Sequence, residues 1–516
     1  MFASWPRSKP LLHGSQRRDE DDAEKGLYDG IQSLPISPPT VYVEPKTAIN
    51  TGHHQPQTSP LVHKGLLPVP YLPVTKSMIP SRSEPKNSIP VKDKISRWIL
   101  FQLWFNTYRK FFLLCISLNL TGVIMSGLGR FPYAVDHSGA MVLGNLLCAV
   151  LMRNELFLRF LYLVAIYSLR SWAPLRIRLA TTSVLQHLGG IHSGCGLSGA
   201  VWLIFKVTDI MRHRAIQHSS IVVTGVITST LVCISVLSAF PWVRNHHHNT
   251  FEKFHRFAGW LGLAVTWVFV ILGNLYDVKH GKWRSDANTL LSGQEAWFAV
   301  LITILIATPW VTLREVHPSA KVAILRFNRG MQQGLVSRIS RTAIMEFHAF
   351  GIVSEGTKSP CHYMICGVQG DFTKGLISDP PKTVWTRQLK FAGIGHASAM
   401  FKKGIRVCTG TGIGSALSTC IQSPNWFLIW IGSDQERTFG PTISSLIHKH
   451  IEPERMVLWD TKKQGRRPNI ILLLKETCKS FGAEVIFITS NKQGNDEMMR
   501  GCFTAGLHAF GTLWDF

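Results

Sequence analysis

Three glycines follow a short β-type run at Ile405–Cys408 and alternate with other residues. The turn consists of Gly410, Thr411, Gly412, Ile413 and Gly414. Glycine lets the backbone come close to a ligand, and the free N–H groups of a helix N-terminus attract a pyrophosphate. The spacing is equally typical of a simple strand-to-helix turn. The turn therefore predicts a nicotinamide-dinucleotide site only if the flanking segments form a strand and a helix.

An earlier group of residues is suited to a flavin. Aromatic side chains could lie against the flavin ring, and small and hydroxyl residues at a helix start could hold its pyrophosphate. These residues are His348, Phe350, Gly370 and Thr373. Each is also explained by an ordinary β-turn, so their order ahead of the glycine turn is the main support. The terminal aromatic residues Trp514 and Phe516 could cover a flavin face, although an ordinary C-terminal strand explains the same residues.

Two histidines lie near the N-terminal ends of apolar runs and are candidate metal ligands. An ionisable group inside a membrane is costly and is a functional hypothesis by default. His187 and His255 would sit at similar depth if both helices run outward from the cytosol, and they could then ligate one haem iron. Nearby glycines would admit a flat macrocycle, whereas His192 lies about 140° round the same helix. The alternative is two interfacial histidines bonded to neighbours or to lipid headgroups.

These candidate residues need elements that position them, and the first is a set of long uncharged runs. A helix needs roughly 20 apolar residues to cross a bilayer. The runs are Phe111–Gly129, His137–Met152, Leu179–Phe205, Ala215–Val243, Phe257–Tyr276 and Ala296–Leu313. They predict six membrane spans in residues 96–318. Glu155–Leu169 is a seventh candidate, which Arg159 interrupts, and we interpret it as interfacial or re-entrant.

The orientation follows from the loops. Residues 153–180 carry five arginines, which favours the cytosolic side. With six spans, both termini are then expected in the cytosol, whereas seven spans would separate them. Residues 1–95 are rich in proline and polar side chains and are expected to be a disordered cytosolic tail. The sequence leaves the choice between plasma membrane and internal membrane open.

Beyond residue 318 the pattern changes to that of a soluble α/β module. Residues 319–400 alternate short β-type runs with turns, which predicts a small FAD-binding β-barrel. Residues 401–516 alternate strands and helices, which predicts a parallel, doubly wound NAD(P)-binding domain. The expected fold is therefore multi-domain: an α-helical transmembrane bundle followed by a ferredoxin-reductase-like module.

The composition argues against other classes of function. The net charge of +24 is spread over short loops and both ends, which suits contact with anionic lipid better than nucleic-acid binding. We therefore expect the lipid bilayer, and no nucleic acid, as a partner. The ten cysteines show no Cys-x-x-Cys pair, so free thiols are expected.

Taken together, residues 98–516 resemble the ferric-reductase/NADPH-oxidase superfamily, and within it the fungal TmpA-like integral membrane flavoproteins. The resemblance is carried by the segments 187–195, 251–260, 370–373, 408–414 and the closing Gly-Thr-Leu-Trp-Asp. It implies that NAD(P)H reduces FAD by hydride transfer and that electrons then pass to a haem and onward to an acceptor, here unknown. His348, Phe350, Gly370 and Thr373 would contact FAD, and Gly410 to Gly414 the nicotinamide dinucleotide.

The sequence departs from this family in three places. The outer haem histidines are missing, because Gly199–Trp202 and Trp267–Val270 stand at the corresponding positions. Gly351 replaces the hydroxyl expected near the reactive nitrogen of the flavin, and the late Cys-Gly-Pro is replaced at residues 489–491. The expected function is a membrane NAD(P)H-dependent flavoprotein oxidoreductase with at most one inner haem. The alternative is a catalytically degenerate, nucleotide-sensing or scaffolding protein. The sequence does not distinguish NADH from NADPH. The basic residues at 462–467 suit the 2′-phosphate of NADPH, whereas Asp434 suits the free ribose hydroxyl of NADH.

Overall fold

The computed structural model describes residues 96–307, 311–315, 322–343, 346–368, 370–387 and 390–513. The predicted tail at residues 1–95 lies outside the described residues, as do Trp514 and Phe516.

Residues 96–307 are helical except for one antiparallel pair of short strands, β1 (Tyr276–Asp277) and β2 (Lys282–Trp283). The helices are α1 (Arg97–Trp104), α2 (Thr107–Gly127), α3 (Pro132–Asp136), α4 (Ser138–Leu151), α5 (Glu155–Leu169), α6 (Leu175–Gln186), α7 (Gly189–Arg212), α8 (Ser219–Ser238), α9 (Pro241–His246), α10 (His248–Leu275), α11 (Ala287–Leu291) and α12 (Gln294–Ala307). Side-chain caps fix several of the starts. Asn106 accepts the N–H of Arg109 at the start of α2, and Asn154 accepts two N–H groups at the start of α5.

Four of the described helices are long and apolar enough to cross a membrane: α2, α7, α8 and residues 250–275 of α10. A fifth span arises if α4 and α5, which meet at a 68° bend, are counted together. The prediction of six spans is therefore not confirmed. The run Leu179–Phe205 breaks at His187, where α6 ends and α7 begins two residues later. The run Ala296–Leu313 does not form one long helix. Helix α12 has only 14 residues, and Val311 already belongs to strand β3.

The next region is a curled antiparallel sheet with the strand order β3-β8-β5-β6-β7-β4 and with β9 paired to β5. Its strands are β3 (Val311–Glu315), β4 (Ala323–Asn328), β5 (Leu335–Ser340), β6 (His348–Val353), β7 (Cys361–Cys366), β8 (Thr383–Arg387) and β9 (Phe391–Ala392). Helix α13 (Asp371–Ser378) covers it, and α14 (Ile394–Ala397) leads onward. Because β3 pairs with β8, the sheet starts before the expected boundary at residue 319.

The last region is a parallel sheet with the order β12-β11-β10-β13-β14. Its elements are β10 (Gly404–Thr409), α15 (Ile413–Gln422), β11 (Trp426–Gly432), α16 (Gln435–His450), β12 (Met456–Asp460), α17 (Thr461–Gln464), α18 (Ile470–Phe481), β13 (Val485–Thr489), α19 (Lys492–Thr504) and β14 (Ala509–Phe510). The first three strands run outward from β10 to one edge, and the chain then returns to place β13 on the other side of β10. This reversal makes the sheet doubly wound, as the sequence predicted, and β14 is a short strand near the C-terminus, where an ordinary C-terminal strand was one of the two alternatives.

The helical region and the two sheets share a hydrophobic core. Tyr162 and Ile166 of α5 and Leu185 of α6 pack with Ala397 and Met400, which lie between the two sheets. Helix α5 is thus held against the two sheets, and its interpretation as interfacial or re-entrant stays a prediction. The 68° bend before α5 turns it out of line with α4 and onto this surface.

Candidate functional site

The glycine turn lies where the order of the parallel strands reverses. Strand β10 ends at Thr409, whose hydroxyl is 2.7 Å from that of Ser490, just beyond the end of β13. A Cβ on Gly412 would lie 2.6 Å from the carbonyl oxygen of Thr489. The turn and the end of β13 therefore form the two sides of a strand-end crevice. In open α/β sheets, ligands bind at this position.

The residues of the turn divide into two groups. Gly410 has a φ of +48°, in the left-handed region that glycine tolerates, and a Cβ there would meet nothing within 4 Å. Ile413 and Gly414, by contrast, are buried, and a Cβ on Gly414 would lie 3.1 Å from Ile365 of β7. Gly410 thus borders open space, whereas the side chain of Ile413 belongs to the core. The N-terminus of α15 directly follows the turn, which gives it the backbone N–H groups that an anion needs.

Ends of the neighbouring strands place charged residues beside this crevice. Asp434 follows β11, and its carboxylate is 3.3 Å from Nζ of Lys462, which follows β12. Burial alone would raise the pKa of Asp460, but four backbone N–H groups donate towards its carboxylate and hold that pKa below its ordinary value. Asp460 thereby fixes the chain around Asp434 and Lys462. Sequence reasoning missed this role, although an aspartate at the carboxyl end of a buried strand is a recognisable signal.

The four predicted flavin residues meet at one end of the curled sheet. The ring of His348 stacks on that of Phe372 in α13 at 4.1 Å, and the ring of Phe350 lies 6.5 Å from Phe372. Gly370 precedes α13, and a Cβ there would meet nothing within 4 Å. The structure therefore brings these residues together through Phe372, which the sequence analysis did not single out.

At the start of α13, Gly370 and Thr373 already form hydrogen bonds with each other. The backbone N–H of Gly370 donates to the hydroxyl of Thr373 at 3.1 Å, and that hydroxyl lies 3.0 Å from the carbonyl oxygen of Gly370. Thr373 is buried, and Asp371 adds a negative charge to the first turn. The open space at Gly370 leaves room for a ligand, whereas the Thr373 hydroxyl must exchange its present partners to contact one.

The curled sheet and the glycine turn are in direct contact at two points. A Cβ on Gly351 would lie 2.5 Å from Cα of Ser415 in α15. A Cβ on Gly367 would lie 2.7 Å from the hydroxyl of Thr411. No space for a side chain exists at Gly351, where the resembled family has a hydroxyl. Glycine at this position is thus explained by close packing of the two sheets.

The structure places the two candidate haem ligands in different settings. His187 ends helix α6, and its Nδ1 is 2.6 Å from the carbonyl oxygen of Ser183. His255 lies within α10, with its Nδ1 2.9 Å from the carbonyl oxygen of Ser235. His192 lies in α7, with its Nδ1 2.9 Å from the carbonyl oxygen of Ala149. His187 and His192 are on separate helices, so the expected 140° relation along one helix was wrong.

The glycines that were expected to admit a macrocycle serve helix packing instead. A Cβ on Gly190 would overlap the carbonyl oxygen of Tyr108 in α2. A Cβ on Gly194 would lie 2.7 Å from Cβ of Cys115, one turn further along the same pair of helices. Helix α2 therefore fills the space beside these glycines, and this face of α7 does not fit a haem. The pairing of His187 with His255 stays a prediction. Within the described ranges no group of three or more His, Cys, Asp or Glu side chains could hold a metal ion.

Comparisons with known proteins point to one named group. Residues 394–516 match the model of the C-terminal domain of adenylate-forming reductase 03009. The chain is 29% identical over 424 residues to adenylate-forming reductase 06235 of Coprinopsis cinerea, which covers 80% of this chain and 40% of that protein. It is 28% identical over 422 residues to adenylate-forming reductase 03009 of the same organism, with the same coverage. The chain thus spans about two fifths of the length of these relatives. These matches do not confirm the resemblance to ferric reductases.

Solved structures with partial similarity include flavohemoglobin from Malassezia yamatoensis, at 11% identity and a TM-score of 0.33, covering 73% of this chain and 98% of that chain. They also include phthalate dioxygenase reductase, at 11% identity and a TM-score of 0.31, covering 39% of this chain and 68% of that chain. TM-scores this low do not by themselves define a shared fold.

Proposed function

We propose that this protein is a membrane-bound flavoprotein oxidoreductase in which NAD(P)H bound at the glycine turn reduces an FAD held against the curled sheet. The observation that carries the proposal is the position of Gly410–Gly412 in the crevice between β10 and β13, in direct contact with the curled sheet. FAD would supply the chemistry, because a flavin accepts a hydride and releases its electrons singly. The acceptor of those electrons is unknown.

The residues of the chain would bind and orient the two cofactors. The N–H groups at the start of α15 would hold the pyrophosphate of the nicotinamide dinucleotide, with Gly410 allowing its close approach. Lys462 and Asp434 follow the ends of the neighbouring strands, and they would offer contacts to a 2′-phosphate and to a 2′-hydroxyl of its ribose, respectively. His348 and Phe350 would orient the flavin, and Gly370 would leave room for its pyrophosphate. No step of this proposal runs through a haem.

A membrane location is part of the proposal. Four described helices have the length and composition of membrane spans. Helices α5 and α6 join the end of this bundle to the soluble module, and the arginines of this segment favour the cytosolic side. The glycine turn would then face cytosolic NAD(P)H. The names of the relatives also contain the word reductase, which is consistent with the proposed class of reaction.

The test is an absorption spectrum of the detergent-purified full chain with added FAD, recorded before and after NADPH or NADH. We expect flavin absorbance close to one equivalent per chain and bleaching of that absorbance by one of the two nucleotides. Gly410→Asp should weaken nucleotide binding at least tenfold, because it places a negative charge at the pyrophosphate. Gly410→Asn is the matched control, since asparagine tolerates the same left-handed backbone without the charge. A chain that binds no FAD would rule out the proposal.

A second candidate function is that of a nucleotide-sensing or scaffolding protein, which would bind both cofactors but catalyse no reaction. It is favoured by the contact between Gly351 and Ser415, which leaves no hydroxyl and no space near the expected position of the reactive flavin atom. Bound FAD that NADPH and NADH both fail to reduce would support this candidate. Measurable reduction of the flavin would exclude it.

A further inference from the structure

Two cysteines on different helices touch within the helical region. The sulfur atom of Cys195 in α7 lies 3.8 Å from that of Cys115 in α2. Cys195 is buried and Cys115 is half-buried, and both are free thiols. A disulfide holds its sulfur atoms about 2.0 Å apart, so the two atoms need to approach by roughly 1.8 Å to bond. A change of side-chain rotamer moves a sulfur atom by more than this distance.

Two glycines of α7 let the two helices come this close. A Cβ on Gly194, the neighbour of Cys195 in the chain, would lie 2.7 Å from Cβ of Cys115. One turn earlier, a Cβ on Gly190 would overlap the carbonyl oxygen of Tyr108 in α2. A disulfide requires two Cα atoms within about 7 Å of each other. A contact between helices that is lined by glycine therefore favours a bond between the two cysteines.

Helix α2 has few other contacts that hold it in the bundle. Ser126 is its one buried residue, whereas ten residues of α7 are buried. Hydrogen bonds join α2 to its neighbours at two levels. The hydroxyl of Tyr108 lies 2.7 Å from that of Ser193, and the side-chain oxygen of Asn119 accepts N–H groups from α4 and α7. A covalent bond at Cys115 would fix α2 between these two levels.

We propose that Cys115 and Cys195 form a redox site, at which an organic hydroperoxide converts the two thiols into a disulfide that locks α2 onto α7. The hydroperoxide oxidises the thiol of Cys115, the more exposed of the two, to a sulfenic acid and is itself reduced to an alcohol. The sulfur of Cys195 then attacks that of Cys115, the S–S bond forms, and the sulfenic oxygen leaves as water. The two thiols lose two electrons and two protons in total, and thiol exchange with a reductant reverses the change.

The surface around Cys115 explains the class of oxidant. Leu114 and Leu118 of α2 flank Cys115 and are 55% and 66% exposed. An organic hydroperoxide has an apolar body, so it suits this surface better than hydrogen peroxide does. Oxidised lipids would be a source of such molecules, and this source rests on the membrane location proposed above. The reaction of the two cysteines does not depend on FAD or on a nicotinamide nucleotide.

The test treats the full chain in detergent with cumene hydroperoxide, without FAD or nucleotide, and then blocks free thiols with N-ethylmaleimide. Mass spectrometry of the digested chain identifies which cysteines are linked. We expect the Cys115–Cys195 pair to be at least tenfold more abundant than any other, and to disappear after treatment with dithiothreitol. Cys148 of α4 also lies near Cys195. A dominant bond between Cys148 and Cys195, or no preferred pair, would overturn the proposal.

Cysteine variants separate the redox site from the other thiols. Cys115→Ser and Cys195→Ser should both lose the bond, and elution of the reduced variants in gel filtration would verify that they fold. Cys233→Ser is the matched control, because Cys233 is also half-buried and lies in the apolar helix α8. It should form the bond like the wild type. An equal rate of bond formation with hydrogen peroxide would overturn the apolar oxidant alone.

Hydrogen exchange of the backbone amides in α2 measures the lock itself. Exchange across this helix should slow at least twofold in oxidised wild type relative to reduced wild type. Cys115→Ser treated in the same way should show no change. A disulfide that forms without slowing exchange would overturn the lock and leave the redox site. Since no redox cofactor is present, failure here leaves the proposed oxidoreductase function to its own test.

Discussion

Arg178 of α6 and Glu484, immediately before β13, form a two-pronged ion pair with N–O distances of 2.9 and 3.2 Å. Arg178 also donates to the carbonyl oxygens of Ala173 and Met400, and Glu484 accepts the N–H of Lys402. One guanidinium group therefore ties the helical region to the connection between the two sheets and to the parallel sheet. This contact joins residues 306 positions apart in the chain.

Removing this arginine should weaken the whole soluble module. The side chain of Arg178 is 4% exposed and that of Glu484 is 21% exposed. Breaking a fully buried pair costs about 3–5 kcal/mol, and partial exposure of Glu484 reduces this to roughly 2–4 kcal/mol for Arg178→Ala. The midpoint of thermal unfolding in detergent measures the effect. Arg437→Ala, at a side chain that is 76% exposed, is the control and should change the free energy of unfolding by less than about 0.5 kcal/mol.

A double-mutant cycle separates the ion pair from the other bonds of Arg178. Arg178→Ala combined with Glu484→Ala should cost less than the sum of the two single changes. An interaction energy near zero would show that the pair itself does not hold the two regions together.

Gly190 should be required for packing of α2 on α7 whether or not a haem is present. In Gly190→Ala the new methyl group would overlap the carbonyl oxygen of Tyr108, and such overpacking costs about 1–3 kcal/mol. Gly196→Ala is the matched control on the same helix, because a Cβ there meets nothing within 4 Å. The measurement is the thermal midpoint of haem-free protein. If the two variants were equally stable, Gly190 would instead be free to face a cofactor.

Restoring a hydroxyl at position 351 should not restore a flavin contact. In Gly351→Ser the new Cβ would lie 2.5 Å from Cα of Ser415, so the two sheets must separate to admit it. We expect a loss of about 1–3 kcal/mol in stability and weaker retention of FAD. Gly273→Ala is the control, because a Cβ there meets nothing within 4 Å and Gly273, in α10, lies outside the proposed flavin site. Faster flavin reduction in Gly351→Ser would contradict the observed packing.

His362 should make the curled sheet sensitive to acid. Its Nδ1 lies 2.5 Å from the carbonyl oxygen of Arg329, its ring stacks on Phe327, and burial lowers its pKa to about 4. The unfolded chain takes up a proton near pH 6.5, whereas the folded chain does not until about pH 4. The stability contributed by neutral His362 is therefore fully present above about pH 6.5 and decreases as the pH falls towards 4. At pH 5 the loss should be roughly 2 kcal/mol.

Thermal midpoints at pH 7.5 and pH 5.0 test this prediction. His362→Phe keeps a ring to stack on Phe327 but cannot be protonated, so its midpoint should fall less between the two pH values. The variant should start lower at pH 7.5, because the bond to Arg329 is lost. Part of the acid sensitivity should remain, since burial also lowers the pKa of His396. An unchanged drop in His362→Phe would show that another group titrates.

The sequence by itself determined the local elements of the candidate site. A β-type run, alternating glycines and small residues predict a strand, a turn and a helix because backbone conformation there depends on neighbouring residues. The structure has β10, the turn and α15 at these positions, and it has the predicted parallel sheet. The apolar runs likewise predicted helices, since their length and lack of charge are local properties.

Only the tertiary structure decided which surfaces these elements present to one another. Gly190 and Gly351 look like cofactor positions in the sequence, yet each is occupied by a neighbouring backbone, α2 in one case and α15 in the other. The ion pair of Arg178 with Glu484 also depends on residues far apart in the chain. Such contacts follow from how whole elements pack, and no spacing along the sequence records that packing.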